Sequence, residues 1–543
     1  MKQKLFLISL VLLWTTLFMG CKKDDTVDLA GITLSKTSTT LKPALTETLT
    51  ATFFPEDATN KEVVWTSSKP EIATVDNTGI VTAVAVGNTT ISVTSVGNSL
   101  LKASCDVTVS WATLNNITGT VSGTWEKNAT VNVSGHITVP AGQTLTIEEG
   151  VQVIFDDNGV GASHTRIEFM VAGKLYCKGT KANPILFSVS QSKRIAANTF
   201  GGLWGGIVAT KDCPEMLFTN VIMEYLGGDV VADSPSALAG IYTAGGDIYP
   251  FITTNNPQGK YVVTNCIFRN GRSDGLYFMG GTGIIANNVF YAIGETGAEA
   301  INMKAGTKVD AAYNLIFAAN TNGLKLSSSG QDDAAGRYQA LIRAFNNTII
   351  NAGWRRNGVK GGSVYAEKGA LVSVFNNLMV NCKFMAQTPK LNQPGPANGA
   401  DNNSVIDYNF YASGSQQSPL AQDNPTYLTS YLGYVTANSS YFHDGRLSTP
   451  IIDQHSPVSA SAGDAVKDPK FVNYGFNTIP LNQYIYNSGW DFHVLAGSPV
   501  LTGANSNFTG SYAPYWGTTG VTVNGVEYKT PLPSARFGAF GTN

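Results

Sequence analysis

The feature that most restricts the fold is a short motif that recurs between Thr219 and Gly414. Each copy opens with Asn and continues into a short, mostly apolar run. The copies begin at Asn220, Asn265, Asn287, Asn314, Asn346, Asn376 and, more weakly, Asn409. The intervals from the second copy to the sixth are 22, 27, 32 and 30 residues. Self-similarity at this period indicates a repeat fold, in which each unit buries its apolar face against the next.

The composition of the unit predicts strands. A turn rich in Gly or Asn follows each motif, and a second short run then begins at Gly275, Ala300, Gly323 and Ser363. Short alternating runs broken by Gly and Asn are typical of strands, because both residues tolerate the left-handed turn conformation. If such coils stack, the Asn residues form a column in which side-chain amides hydrogen-bond between coils. Apolar residues of both runs would form the core, such as Ile267, Phe278, Ile316 and Leu324.

The pattern from about Thr118 to the C-terminus resembles the right-handed parallel β-helix of the pectate-lyase-like superfamily. We therefore predict an all-β chain whose residues 111–543 form one such β-helix. Five long insertions interrupt it, at residues 229–260, 327–342, 352–370, 386–405 and 415–467, and coils are expected to resume at Asp468. Since the insertions lie between Asn motifs, we expect several of them to rise from one side of the solenoid and wall a groove.

Residues 1–20 have the features of a lipoprotein signal peptide. Lys2 and Lys4 precede an apolar run that is short for a membrane span. Gly20 and Cys21 then resemble a lipobox, which implies cleavage before Cys21 and acylation of that residue. An ordinary secretory signal is the alternative. Lipid chains would anchor the protein to the outer membrane without a membrane-spanning segment.

Residues 21–28 are predicted to form a tether. The sequence Lys22-Lys23-Asp24-Asp25 directly follows the lipidated position. It resembles the surface-export signal of Bacteroidota lipoproteins, which implies exposure on the cell surface. A simple solvated tether is the alternative, since any short charged stretch is soluble.

Residues 29–110 form a separate unit. Three short runs alternate between apolar and polar residues, and the turn sequence Asp76-Asn77-Thr78-Gly79 separates two of them. A unit of this size with this spacing suits a small β-sandwich. It resembles the group 2 bacterial immunoglobulin-like domain, whose members occur in adhesins and as spacers. No catalytic cluster stands out here, so a spacer is the expected role.

Charge and cysteine content exclude several partners. The formal net charge is -2 and no basic cluster is present, which argues against nucleic acid. Apart from Cys21 there are five cysteines, and none lies in a Cys-x-x-Cys pair, so a zinc site of that kind is not supported. An odd number of cysteines in an exported protein also argues against a disulfide framework.

No cofactor is predicted, and calcium is the one ion left open. Asp229, Asp233 and Asp247 lie on one insertion and carry the oxygen ligands that calcium prefers, although no Asp-x-Asp-x-Asp loop is present. His443-Asp444 and Asp453-Gln454-His455 fall in one loop and could meet at a metal. Ordinary exposed loop polarity is the favoured interpretation of both histidines.

The second strands predict a row of outward-facing side chains. Alternation turns Leu276 and Phe278 inward and therefore Tyr277 outward. The same logic applied to the next coils, together with an aromatic and basic insertion expected to wall the row, gives the predicted ligand-binding set of Tyr277, Asn302, Lys304, Lys325, Trp354, Arg355, Arg356, Tyr365 and Glu367. Aromatic faces stack on sugar rings, and Lys or Arg pairs with carboxylate or sulfate groups. An ordinary polar outer face is the alternative.

The sequence leaves two classes of function open. It lacks the Asn-Thr-Asp and Gly-His-Gly motifs of the polygalacturonase branch and the Trp-Ile-Asp-His pattern of the pectate lyase branch. We therefore favour a lipid-anchored surface protein that binds glycan or another surface ligand through the outer face of the β-helix. The alternative is a polysaccharide lyase or glycoside hydrolase that acts on an acidic glycan, with Lys304, Lys325 or Glu367 in its chemistry. No catalytic residue is assigned from sequence.

Overall fold

The computed structural model describes residues 26–295, 297–331, 335–356, 362–386, 388, 399–416, 419–420, 453–459 and 463–543. The chain divides into two compact units, Met1–Trp111 and Ala112–Asn543. Strands dominate both units, which confirms the all-β fold class. The signal peptide, Cys21, the basic and acidic residues after it, and the pair His443-Asp444 lie outside the described residues.

The first unit is a β-sandwich, as predicted. Its strands are Gly31–Leu34, Ser38–Leu41, Thr46–Thr48, Ala51–Phe54, Val63–Ser67, Ala73–Val75, Ile80–Ala83, Gly87–Ser95 and Lys102–Val109. Sheets of two, three and four strands enclose a small core that includes Val81, Ile91 and Val107. The predicted turn begins at Asp76, whose Oδ1 accepts hydrogen bonds from the backbone N–H groups of Thr78 (2.8 Å) and Ile80 (3.0 Å).

The second unit is a parallel β-helix with three strand ladders. Ladder A contains Gly123–Trp125, Thr144–Glu148, Lys174–Lys178, Glu215–Thr219, Lys260–Thr264, Gly281–Ala286, Thr307–Ala312, Leu341–Phe345, Leu371–Phe375 and Val405–Ile406. Ladder B contains Thr113–Thr120, Thr130–Val139, Gln152–Phe155, Ile185–Val189, Val221–Glu224, Ile267–Gly271, Val289–Ile293, Leu315–Phe317, Thr348–Ile350, Leu378–Val380 and Phe410–Ala412. Ladder C begins on the second half of Thr130–Val139 and continues through Phe169–Val171, Ile207–Ala209, Ile252–Thr254, Leu276–Phe278, Ile301–Met303, Asn322–Ser327 and Gly362–Glu367.

The recurring Asn motif marks the corner between ladders A and B. Asn287, Asn346 and Asn376 adopt positive φ there, which Asn tolerates better than most residues. The residues that follow them form the predicted amide column, with side-chain bonds of 2.9–3.0 Å along Asn288, Asn314, Asn347, Asn377 and Asn409. The column is therefore confirmed, although in three coils it runs through the second Asn of a pair and not the first.

The core lies between the three ladders. Phe278, Ile316 and Leu324 are fully buried in it, as predicted. Ile267 is the exception, because Asn265 takes the left-handed corner and turns Cys266 and Phe268 inward in its place.

The C-terminal residues do not continue the coils, which corrects the prediction that coils resume at Asp468. Phe471–Asn473 pairs antiparallel with Asp491–Val494, and Gly520–Val523 pairs antiparallel with Val526–Lys529. The first pair packs on the outer face of ladder B through apolar residues such as Phe471. The second pair packs on the outer face of ladder A. The outer face of ladder C is thus the one that these two pairs leave uncovered.

The insertions leave the solenoid at two corners and not from one side, which corrects a second prediction. Residues 229–251 and 351–356 lie between ladders B and C, whereas the insertion after Ser327 lies between ladders C and A. Insertions therefore flank both long edges of the outer face of ladder C. Helices are short: Pro235–Leu238 is α-helical, and Gln191–Lys193, Ala196–Asn198, Ala465–Lys467, Pro499–Leu501 and Gly510–Tyr512 are 3₁₀ turns. Within the described residues, no helix has the length and apolar character needed to cross a membrane.

Candidate functional site

The predicted row lies on the outer face of ladder C, in register. Tyr277 pairs with Asn302, Asn302 with Lys325, and Lys325 with Tyr365. Their neighbours Leu276, Leu324 and Val364 are buried on the inner face, as alternation required. We call Tyr277, Asn302, Lys304, Lys325, Tyr365 and Glu367 the ladder C row.

The row is more sheltered than a plain outer face. Asn302 is 4% exposed, Tyr365 5% and Glu367 9%, while Tyr277, Lys304 and Lys325 are half-buried. Part of the shelter comes from the insertion at 229–251, whose Tyr242 hydroxyl hydrogen-bonds to Thr253 and whose ring lies 6.5 Å from that of Tyr277. The row is therefore a sheltered strip of the sheet between two flanking insertions, which we call the groove.

Two carboxyl groups that sequence reasoning missed lie at the centre of this groove. Asp274 Oδ2 accepts a hydrogen bond of 2.9 Å from Asn302 Nδ2, and Glu299 Oε2 lies 3.4 Å from the same nitrogen. The backbone N–H of Glu299 donates to Asp274 Oδ1 at 2.7 Å. Asp274 and Glu299, here called the acid pair, thus converge on one amide group from successive coils.

Asp274 holds its proton near neutral pH. Burial raises the pKa of Asp274, the negative charge of Glu299 raises it further, and the result is about 8. Two carboxyl groups this close cannot both ionise without strong repulsion. The pair can therefore donate a proton to a bound ligand at pH 7 and accept one back.

Two lysines complete the groove. Lys325 Nζ lies 3.4 Å from Glu367 Oε1, and although burial opposes its charge, Glu299 and Glu367 raise its pKa. Lys304 differs: burial, and then the charge of Lys325, lower its pKa. Its Nζ lies 5.3 Å from the centre of the Tyr277 ring and forms neither a hydrogen bond nor an ion pair with any described residue. Of the two lysines in the row, Lys304 is therefore the one that loses its proton more readily.

Two acceptor atoms in the groove have no partner within the described part of the chain. They are Asn302 Oδ1 and Asn322 Oδ1, and both side chains are at least 96% buried. Asn322 Nδ2 donates to Glu299 Oε1 at 3.3 Å, which ties this residue to the acid pair. Because buried polar atoms normally have partners, these two oxygens are exceptions that concentrate unsatisfied hydrogen-bonding capacity beside the acid pair.

The side chains predicted to wall the row make other contacts, although their segment lies at the corner between ladders B and C. Trp354 is buried, and its indole N–H donates to the carbonyl of Asn381 at 2.5 Å. Arg355 donates to the carbonyls of Gly294, Ile293 and Ala318, and burial lowers its pKa to about 10. Arg356 donates to Thr321 Oγ1 at 2.9 Å. Trp354 and Arg355 are engaged in holding the corner between ladders B and C, so they are not ligand-facing.

The carboxylates proposed for calcium are engaged separately. Asp229 pairs with Arg272 at 2.8 Å, Asp233 accepts hydrogen bonds from Ser163 and Thr165, and Asp247 accepts one from the backbone of Thr243. His455 Nδ1 lies 2.7 Å from Asp407 Oδ2. Among the residues with described positions, no group of three or more His, Cys, Asp or Glu side chains could hold a metal ion.

Glu168 holds the insertion at 229–251, which shelters Tyr277. Its buried carboxyl group predicts how the free energy of unfolding depends on pH. Tyr249 and the backbone N–H of Ser236 donate to its carboxyl group, and burial raises its pKa from 4.5 to about 7. Because the folded-state pKa lies above the unfolded value, the stabilising contribution is full below pH 4.5 and is lost as pH rises through 7. Glu168→Gln, a mimic of the protonated acid, should remove about 3 kcal/mol of pH dependence.

Urea unfolding of the wild-type protein and of Glu168→Gln between pH 4.5 and 8.5 tests this prediction. The wild-type free energy of unfolding should fall more steeply with pH than that of Glu168→Gln. Glu527→Gln is the matched control, since Glu527 is exposed on the C-terminal hairpin. Parallel pH profiles for wild type and Glu168→Gln would contradict the assignment.

Fold and groove together define the class of molecule: an immunoglobulin-like sandwich followed by a three-ladder β-helix with a titratable groove on one face. Comparison with known families agrees. Residues 28–107 match the bacterial Ig-like domain (group 2), and residues 116–238 match the pectate-lyase like beta helix domain. The chain therefore contains both domains that the sequence resembles.

Curated relatives match only short stretches. Two uncharacterized proteins of Clostridium acetobutylicum are 37% identical over 120 residues (20% of this chain, 12% of the relative) and 41% identical over 90 residues (16% and 23%). The 3-O-alpha-D-galactosyl-alpha-L-arabinofuranosidase of Bifidobacterium longum subsp. longum is 44% identical over 69 residues (13% and 6%). The chain spans less than a quarter of the length of each, so their activities do not transfer with the match.

Proposed function

We propose that the ladder C row and the acid pair form an active site that cleaves an acidic polysaccharide by β-elimination. The observation that carries the proposal is the convergence of Asp274 and Glu299 on the Asn302 amide, with the pKa of Asp274 raised to about 8, beside a lysine whose pKa is lowered. Groups whose surroundings move their pKa values toward neutrality are typical of acid–base sites. This geometry moves our preference from the binding protein favoured by sequence to its enzymatic alternative.

The elimination step assigns one role to each group. The unprotonated form of Lys304, which its lowered pKa favours, takes the C5 proton of a uronate ring, and the electron pair left behind forms the C4–C5 double bond. The C4–O bond then breaks, and the leaving oxygen takes the proton of the acid pair. The proton on Lys304 returns to the acid pair through water, which restores both groups.

The acid pair and Lys304 would approach a bound sugar ring from the same side, which favours elimination over inverting hydrolysis. Inversion needs two carboxyl groups on opposite faces of a sugar ring, about 6.5–9.5 Å apart. Asp274 and Glu299 instead converge on one amide nitrogen, within 3.4 Å. A base and an acid that rise from one sheet face meet a sugar from one side, as a syn elimination needs.

Binding of the same substrate draws on the rest of the row. The ammonium of Lys325 can pair with a uronate carboxylate, which makes the C5 proton more acidic. Tyr277 offers a half-buried aromatic face for stacking. The pectate-lyase-like β-helix domain and the glycosidase among the relatives are consistent with a carbohydrate substrate.

A screen of polyuronates and sulfated glycans tests this proposal. We expect products that absorb in the ultraviolet because of the C4–C5 double bond, and each assay is run with and without calcium or a chelator. New reducing ends without that absorbance would mean hydrolysis and would overturn the elimination step. Binding without turnover would overturn catalysis.

Glycan binding without catalysis is the second candidate, and one observation favours it. Lys325 and Glu367 already pair with each other, and such ion pairs often serve structure alone. In that case the row would hold an acidic glycan through Tyr277, Lys304 and Lys325 with no change to it.

We also propose that the protein is a lipoprotein anchored through Cys21 and exposed on the cell surface. The proposal rests on the lipobox-like sequence and the charged residues after it. Whole-cell protease treatment should shave the protein from the surface, and Cys21→Ala should release it from the membrane. Protection from protease in intact cells would contradict surface exposure.

A further inference from the structure

A second groove lies on the outer face of ladder B, away from the ladder C row. It encloses about 800 Å³. Ladder B strands supply its floor through Leu186, Ile222 and Arg269, and the segment with Arg194 and Ala196 supplies one wall. None of the residues predicted from sequence lines it. We call it the ladder B groove.

The C-terminal residues close one end of this groove. From Leu315 onward, ladder B is covered by apolar residues of the C-terminal segment, so the uncovered part of the face ends there. Tyr484 and Tyr486 stand at that end and line the groove. The result is a blind-ended groove in which a ligand meets an aromatic wall.

That wall is rigid. The rings of Tyr486 and Tyr291 stack with centres 4.5 Å apart and planes 19° from parallel. The guanidinium of Arg355 lies 5.2 Å from the ring centre of Phe200 and 5.4 Å from that of Tyr484, which supports the wall from behind. Fixed aromatic surfaces of this kind suit the apolar faces of sugar rings.

The charge of the groove is cationic. Two arginines and one glutamate line it, which leaves one positive charge in excess. Arg269 Nε donates to Glu224 Oε2 at 2.6 Å, and Ser188 donates to Glu224 Oε1 at 2.8 Å. Arg194 Nε donates to the carbonyl of Val189 at 2.8 Å and stands 3.8 Å from the same carboxylate, while Nη1 donates to Gln191 Oε1 at 3.0 Å. Arg194 and Arg269 thus share a single carboxylate, so the three side chains together keep one positive charge in excess for an anionic ligand.

We propose that the ladder B groove is a second saccharide site, which binds the end of an acidic oligosaccharide with a carboxylate on Arg194 and sugar rings against Tyr291 and Tyr486. The inference rests on the proposed function in taking the same class of substrate. A second site on a neighbouring face would hold a polysaccharide to the protein while the ladder C row acts on it.

Calorimetric titration of the full chain with a tetramer of galacturonate tests the inference. The Lys304→Met variant is used, so that the proposed elimination does not consume the probe. Ala196→Trp should fill the groove and abolish the binding assigned to it, because Ala196 is exposed on its wall. Arg194→Gln should weaken that binding roughly tenfold, the effect of losing one charge-assisted contact. Ala197→Trp, an exposed neighbour outside the lining, should change nothing.

Each outcome decides between alternatives. Unchanged binding in Ala196→Trp would overturn the second site and leave the proposed function intact. Equal binding of a neutral galactose tetramer would overturn the role of charge. If the wild-type protein cleaves no polyuronate, the proposed function fails. If Ala196→Trp nevertheless abolishes galacturonate binding, the ladder B groove is still a saccharide-binding site.

Discussion

Replacing Lys304 with Met should lower the rate of polyuronate cleavage at least a hundredfold, the usual minimum contribution of a positioned acid or base. Met replaces the aliphatic part of the lysine side chain and its packing beside Tyr277 but has no amine to take a proton. Asp274→Asn should produce a loss of the same order, because an amide preserves the acceptor for Asn302 and removes the transferable proton. Absorbance of the unsaturated product measures both.

The control for this prediction is Lys308→Met. Lys308 lies in the next strand after Lys304 and is exposed on ladder A, away from the groove. Its replacement should leave turnover unchanged. Equal activity of Lys304→Met and Lys308→Met would remove Lys304 from the mechanism.

The acid pair also predicts a pH limit. Protonated Asp274 supplies the leaving group with its proton, and its pKa is raised to about 8. The rate in wild type should therefore fall as pH rises through 8. A rate that keeps rising above pH 9 would contradict the role of the pair as proton donor.

Replacing Arg343 with Met should destabilise the β-helix by about 3–5 kcal/mol, the cost of leaving one buried charge without its partner. Arg343 is 2% exposed and binds Asp310 through two hydrogen bonds, one of them 2.8 Å long from Nε to Oδ1. Thr530 donates to Asp310 at 2.8 Å, and Arg343 donates to the carbonyl of Tyr512 at 3.1 Å. The pair therefore joins two coils to the C-terminal segment.

Thermal and urea unfolding of the full chain measure this effect, with Lys308→Met again as the exposed control. The double variant Asp310→Leu, Arg343→Met should recover much of the loss, since replacing both partners of a buried pair by apolar residues is often neutral. A single variant as stable as wild type would show that the C-terminal segment does not depend on the pair.

The fold and the register of the row follow from sequence because both depend on local alternation. Leu276 and Tyr277 occupy adjacent positions of a short strand, so the buried position of one fixes the outward direction of the other. The same rule gave Asn302 and Lys325 correctly, since unequal insertions fall outside the strands and leave their register unchanged.

The acid pair was missed because Asp274 and Glu299 lie just outside the strands, where alternation does not predict the direction of a side chain. Asp274 and Glu299 each lie two residues before an inward-facing strand residue, at the end of a corner whose backbone is not extended. The signal available was their shared offset, with Asn322 at the same offset in the next coil. Trp354 and Arg355 were misplaced for a related reason, because no periodicity fixes the direction of side chains in an insertion.

The ladder C row draws one or two members from each of four successive coils, and each coil bonds only to the coils on either side of it. Duplication of a single coil would therefore lengthen the row by about 4.8 Å without disturbing the pairing elsewhere. Deletion of a coil would shorten it by the same step. The length of polymer that the groove can contact can thus change during evolution by one coil at a time, independently of the chemistry at Asp274 and Lys304.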